Sequence, residues 1–246
     1  SKSLMKGPMD FNPIAKNICR ITNDSDGIPI STYGIGFGGY MIANQHFFKR
    51  NNGLITFKTH HGVFKAPNST VLKIFPIKGR DLVVVELPKD FPVFSNKIHF
   101  RSPKDKERVC MVSSIFQEKS VTSTVSESSP IFPVAESGFY KHWISTDDGS
   151  CGLPLVSVVD GKIVGIHSLA NNYVNENYFT AFEPHFETNV LRSPEALEWI
   201  KHWKYNPENI SWGYLSLNDS APSGLFKTTK LVTDLVEDEQ NSVRWQ

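Results

Sequence analysis

The chain has 246 residues, 39% of them hydrophobic and 21% charged, which fits one large domain or two modest ones of ordinary globular composition. A chain of this length buries roughly 70–75% of its unfolded surface, so it needs no covalent staples to fold. Its 26 Lys and Arg balance 25 Asp and Glu to a net charge of +1, which argues against a protein built chiefly to capture nucleic acid electrostatically.

Short β-prone runs bounded by Gly, Asn or Pro dominate the chain. In order they are Tyr40 to Ala43, Leu54 to Phe57, Val71 to Phe75, Asp81 to Leu87, Arg108 to Val112 and Ser120 to Val125. LPLVSVVDGKIVGIHSLA (153–170) then reads as a hairpin, with Asp160-Gly161 suited to the positive φ angles of a type I′ turn. One helix is expected at 194–204, where Ser193 serves as N-cap, Pro194 opens the first turn and EALEWIKHWK has helical spacing. Many short strands and one late helix predict an all-β fold, barrel or sandwich. The Pro- and charge-rich stretch between Lys89 and Arg108 divides the chain into a unit at 1–95, a linker at 96–107 and a second unit at 108–217. Residues 218–246 are polar and patternless, and are expected to form an extended or loosely held tail.

Three cysteines without a CxxC pair support neither a disulfide framework nor a zinc ribbon, and suggest a reducing compartment. SKSLMKGPMD lacks the apolar segment of a signal peptide, and no run approaches eighteen apolar residues, so no membrane partner is expected. Cys19 and Cys110 lie in apolar strand-like runs, where a thiol behaves as a small hydrophobe. Cys151 differs: it sits in the polar, glycine-flanked turn TDDGSCG (146–152), where backbone N–H groups can converge into an oxyanion hole. The alternative reading of the loop alone is an exposed thiol without a role. A thiol at its ordinary pKa needs a base or an imidazolium partner. Of eight histidines, His46 stands just after a strand, whereas His99, His142, His185 and His202 have amphipathic or exposed surroundings. Asp81 opens the most apolar strand, and orienting a histidine would give its carboxylate a partner; capping a turn after Gly79 is the bland alternative. Together His46, Asp81 and Cys151 follow the chain order His, Asp, nucleophile of chymotrypsin-type double barrels, with the first two in one β unit and the third in the other.

GxGF (34–37), NQH (44–46), RNNG (50–53), HGVFK (61–65), GRD (79–81), LPKDFP (87–92), DGSCGLPLVS (148–157), DGKIVGIHS (160–168) and HWKYNPENISWG (202–213) closely resemble the nuclear inclusion a proteases of potyviruses, from about residue 6 to about residue 226. The resemblance implies a chymotrypsin-like double β-barrel and a cysteine endopeptidase that cuts a viral polyprotein after Gln and before a small residue. It implies a His46, Asp81 and Cys151 triad, with Gly149 and Cys151 N–H groups at the oxyanion. Thr146 and His167 would read the P1 glutamine, with Asp148 close by, and Ser168, Asn171, Tyr178 and Trp212 would line the substrate cleft. A hydroxyl and a neutral imidazole suit a carboxamide without the charge that would favour Glu or Lys. Ser150 stands where relatives often carry Gln or His. No metal or organic cofactor is expected, since a zinc set of His46, Cys151 and His167 lacks short ligand spacing. The resemblance further implies RNA and the viral genome-linked protein as secondary partners, and residence in host cytoplasm and nucleus. A cut between Gln and Ser would explain Gln246 and Ser1 as processed ends, placing Val243 at P4 and Gln246 at P1 of a tail that returns to the cleft as product.

Overall fold

The structure, a computed structural model, describes residues 9–24, 27–49, 53–77, 79–135, 137–171, 175–193 and 243–246. The helix expected at 194–204, His202, Trp212 and most of the expected tail lie outside the described residues.

After a one-turn helix, α1 (Asn12–Ala15), with Pro13 in the first turn where its missing N–H costs nothing, the first half is a string of antiparallel strands. They are β1 (Ile18–Asn23), β2 (Ile30–Phe37), β3 (Tyr40–Ala43), β4 (Ile55–Thr59), β5 (Gly62–Ala66), β6 (Lys73–Pro76) and β7 (Val83–Glu86). Their sheet order is β5-β4-β1-β2-β3-β7-β6. Alternation of buried and exposed side chains along β4 turns Ile55, Phe57 and Thr59 inward, where the two apolar ones join Cys19, Ile21, Met41 and Phe48 in one core. In the second half come β8 (Arg108–Phe116), β9 (Val121–Val125), β10 (Ser129–Pro130), β11 (Phe132–Pro133), β12 (Phe139–His142), β13 (Pro154–Ser157), β14 (Ile163–Asn171), β15 (Glu176–Ala181) and β16 (Val243–Trp245). They form a nine-stranded sheet in which β14 is buried along its whole length between β13 and β15.

Both halves share a second core, where Ile35, Ile42 and Val84 of the first sheet pack with Leu155, Ile166 and Phe179 of the second. Each such side chain contributes about 1.5–3 kcal/mol on burial. A buried Arg80–Glu183 ion pair also crosses between the halves. The linking stretch is packed rather than loose: Phe91, Phe94, Ile98 and Phe100 are buried, and Phe100 bridges Ile163 in parallel. Arg101 fixes its far end by bonding Glu107 and Asp160 at 2.8 Å each.

One expectation needs correction. The β13–β14 connection is not a two-residue type I′ turn: the strands close through Ser157 N–H on the Lys162 carbonyl, and only Gly161 of the Asp160-Gly161 pair has positive φ. Asp160 instead turns its carboxylate to the Lys162 N–H and to Arg101. The closing residues, Val243–Trp245, form β16, paired antiparallel to β14 with Leu169 opposite Trp245. Among the described residues no helix is long and apolar enough to cross a membrane.

Candidate active site

Pairing of β3 with β7 sets Ala43 opposite Val83, so the residues just after β3 and just before β7 leave the sheet together. The 3₁₀ turn Gln45–Lys49 holds His46 there, facing Asp81. His46 Nδ1 lies 2.8 Å from Asp81 Oδ2, while the His46 main-chain N–H donates to Asp81 Oδ1 at 2.9 Å. Asn44 Nδ2 donates to the same carboxylate at 2.9 Å and reaches the Ser168 hydroxyl at 3.1 Å, stitching the first half to β14. With Nδ1 committed to Asp81, Nε2 is the ring nitrogen left for the neighbouring Cys151 thiol, whose Sγ–H donates to the Ser168 carbonyl at 3.2 Å.

Cys151 reaches this point because its own loop is pinned from both sides. Tyr33 N–H and the Thr32 hydroxyl of β2 donate to the Cys151 carbonyl at 2.8 and 2.9 Å. Gly152 N–H donates to the His167 carbonyl at 2.9 Å. Ser150 braces the turn, accepting a hydrogen bond from Asp147 N–H on its hydroxyl. Gly149 and Gly152 have φ of +90° and +86°, angles that favour glycine. A Cβ on Gly152 would stand 1.9 Å from the Tyr33 carbonyl oxygen. Gly152→Ala is therefore expected to combine about 1–3 kcal/mol of backbone strain with a clash that drives β2 from the loop. Melting temperature and turnover should fall together, and wild-type values for both would overturn this account.

Electrostatics follow from burial and pairing. Burial disfavours the charged His46 ring, but Asp81 and the Cys151 sulfur beside it outweigh that and raise it, so the ring holds the proton it takes from the thiol. Asp81 is lowered: burial pushes it up, and the His46 ring, the His46 main chain and Asn44 more than reverse this. The Cys151 thiol is raised by burial, against the opposing pull of His46. Cys19 and Cys110 are buried on β1 and β8, and desolvation raises both, Cys110 to about 11, so neither is an activated thiol.

Into this cleft comes the chain's own Gln246. Its side-chain Oε1 lies 2.6 Å from Thr146 Oγ1 and 2.5 Å from His167 Nε2. Its carbonyl accepts from Gly149 N–H at 2.9 Å, and its N–H donates to the Ser168 carbonyl at 3.0 Å. Trp245 stacks on the His46 ring with centroids 4.6 Å apart and also packs beside Phe139, Leu169 and Tyr178. Thus Thr146, Gly149, His167 and Ser168 converge on one glutamine, whereas exposed Asp148 and the Cys151 N–H make no hydrogen bond to it. Asn171 pairs through its backbone with Val243, and Tyr178 donates its hydroxyl to Glu176. Four contributors escaped the sequence: Asn44, Trp245, Asn177, which accepts from Thr146 at 3.2 Å, and His142, which is fully buried rather than amphipathic or exposed. No strand alternation marks His142, because β12 buries its two ends, Phe139 and His142, with Tyr140 and Lys141 half-buried between them.

Two antiparallel barrel-like halves with a histidine, a buried carboxylate and a thiol meeting between them define a cysteine peptidase of the chymotrypsin-like fold. The sequence profile of peptidase family C4 matches residues 1–233, and the chain belongs to that family. It is 54% identical over 235 residues to the genome polyprotein of Turnip mosaic virus (strain Japanese), and 51% identical over 238 residues to that of Lettuce mosaic virus. These matches cover 96% and 97% of this chain but only 7% of either polyprotein. Among solved structures, tobacco vein mottling virus protease is 50% identical with a TM-score of 0.78, over 89% of this chain and all of that one. Catalytically active tobacco etch virus protease complexed with product is also 50% identical, with a TM-score of 0.74 over 78% of this chain and 83% of that one.

Proposed function

We propose that this chain is an endopeptidase that cleaves a viral polyprotein after Gln and before a small residue, through a thioester on Cys151. The observation that carries this reading is Gln246, whose carboxamide meets Thr146 and His167 while its carbonyl meets Gly149 N–H. A P1 glutamine with its scissile carbonyl next to Cys151 would make those contacts.

His46, oriented by Asp81, takes the thiol proton as the sulfur attacks the carbonyl carbon after Gln. The oxyanion is stabilised by Gly149 N–H, with Cys151 N–H as second donor once the carbon turns tetrahedral, at about 2.7–4 kcal/mol per donor. Collapse breaks the C–N bond, and His46 passes its proton to the leaving amine. Water, deprotonated by the same ring, then resolves the thioester and returns the thiol. The main-chain pairing of Val243–Trp245 with β14 supports a substrate held the same way, aligned by backbone hydrogen bonds without side-chain specificity.

The test is a peptide spanning NSVRWQ-SKS, incubated with the wild type and with Cys151→Ala, products mapped by mass spectrometry. One cut after Gln, absent in the variant, is expected; cleavage elsewhere, or none by the wild type, would overturn the reading. Since β16 fills the cleft, substrate must displace it. Deleting residues 243–246 should therefore lower KM about threefold or more at unchanged kcat, because apparent affinity scales with the fraction of open sites. An unchanged KM would show that the tail does not compete.

A further inference from the structure

The P1 pocket holds one buried group that the reaction does not use. His142 closes β12 with its ring at 0% exposure, its Nε2 3.0 Å from Nδ1 of His167. The two rings meet edge-on, with centroids 5.2 Å apart, and Phe179 covers His142 from the side. The other nitrogen of His142, Nδ1, lies 3.1 Å from the main-chain N of Ile144.

That last contact fixes every proton in the series. A backbone N–H can only donate, so His142 Nδ1 is an acceptor and carries no proton. A neutral His142 must then carry its proton on Nε2 and donate it to His167 Nδ1. His167 Nδ1 is in turn an acceptor, which leaves its proton on Nε2, pointing at the glutamine Oε1. The chain of hydrogen bonds runs from Ile144 N–H through His142 and His167 to the glutamine Oε1, which accepts the last. Burial holds both rings uncharged, His142 well below its ordinary range and His167 at about 4.

We propose that His142 is a positioning residue for P1 selectivity, locking His167 as the neutral Nε2–H tautomer that donates to a glutamine carboxamide oxygen. Resting on the assignment of Gln as the P1 residue, this explains how the pocket keeps a donor without a charge. Without the lock, His167 could turn an unprotonated Nε2 toward the same oxygen, setting lone pair against lone pair. An imidazole on a strand is otherwise free to choose either tautomer, and the main chain at Ile144 removes the choice.

Two readouts test it in the full-length chain. A two-bond ¹H–¹⁵N correlation spectrum of ¹⁵N-histidine-labelled wild type should show His167 neutral and protonated at Nε2, with His142 likewise. Finding His167 protonated at Nδ1, or charged at neutral pH, overturns the proposal even if no variant folds. In kinetics, His142→Phe keeps the ring shape but cannot donate. It should lower kcat/KM for a P1 Gln peptide on the order of 10- to 100-fold. A P1 Met peptide, which has no carbonyl to receive the bond, should be affected far less, so the Gln-to-Met preference shrinks. His142→Gln, which retains a donor, should recover part of that preference. An equal loss on both peptides would mark His142 as merely structural and overturn the proposal. Failure of the wild type to prefer Gln would instead strike the P1 assignment, and the spectrum would still decide the tautomer.

Discussion

Cys151→Ala is expected to lower turnover of a P1 Gln peptide by about 10⁶-fold, to the rate that the remaining site supports without a nucleophile. The loss should fall on kcat and leave peptide affinity in place. Every hydrogen bond that holds Gln246 by its side chain or carbonyl comes from Thr146, His167 or Gly149, and none of these needs the sulfur. The loop should also keep its course, because Tyr33, Thr32 and Gly152 hold it through main-chain atoms of residues 151 and 152. Stopped progress curves with an unchanged peptide Kd by calorimetry are the expected pair of results. Turnover above about 1% of wild type would remove Cys151 from the nucleophile's place. Cys19→Ala and Cys110→Ala are the controls. Both thiols are buried on strands away from the cleft, so each change leaves a small packing defect and intact chemistry.

How much of this site could be read beforehand depended on whether each contact was local in sequence. The strands flanking His46 and Asp81 are apolar runs with turn residues at their ends, and binary pattern alone places them. The glycines around Cys151 are legible for a similar reason: only a tight turn needs Gly149 and Gly152 at positive φ. Asn44 is different. It lies two residues before His46, but its use comes from reaching Asp81 and Ser168 at once, which requires both halves to be assembled. His142 sits between a lysine and a tryptophan, a context that reads as surface, and its burial follows from β12 pairing with β15 beneath the pocket. Trp245 carries no pattern of its own; β14 and His46 give it a place. Asp160-Gly161 marked the right turn with the wrong geometry, because the pull of Arg101 on Asp160 is a tertiary contact that dipeptide preference cannot contain.

Asp81→Asn should fold normally and lower kcat by about 10⁴-fold, with a smaller effect on KM. The amide fits the same space, but its NH₂ replaces one of the two acceptors: placed at Oδ2 it can only donate where the carboxylate accepted from His46 Nδ1 and Asn44, while its oxygen keeps the His46 main-chain N–H. Facing a donor, the His46 ring gains by placing its proton on Nε2 instead, and then has no lone pair for the thiol. The pH profile separates this from a loss of packing. In the wild type the Asp81 charge is what overcomes burial and raises His46. Without it, desolvation is less opposed and the imidazole pKa must fall, so the acid limb of kcat/KM should move to lower pH while the plateau drops. Stability carries the opposite signature at low pH. Asp81 is lowered in the folded chain, so its contribution is present above the ordinary carboxylate range and is lost as pH falls through the folded value. Wild-type unfolding should therefore grow easier on acidification over that range, and the Asn variant should show less of this dependence. Urea midpoints across that range, beside the kinetic profile, make the comparison. An acid limb that stays in place, or a kcat within about tenfold of wild type, would mean that Asp81 does not hold the His46 ring in its working tautomer.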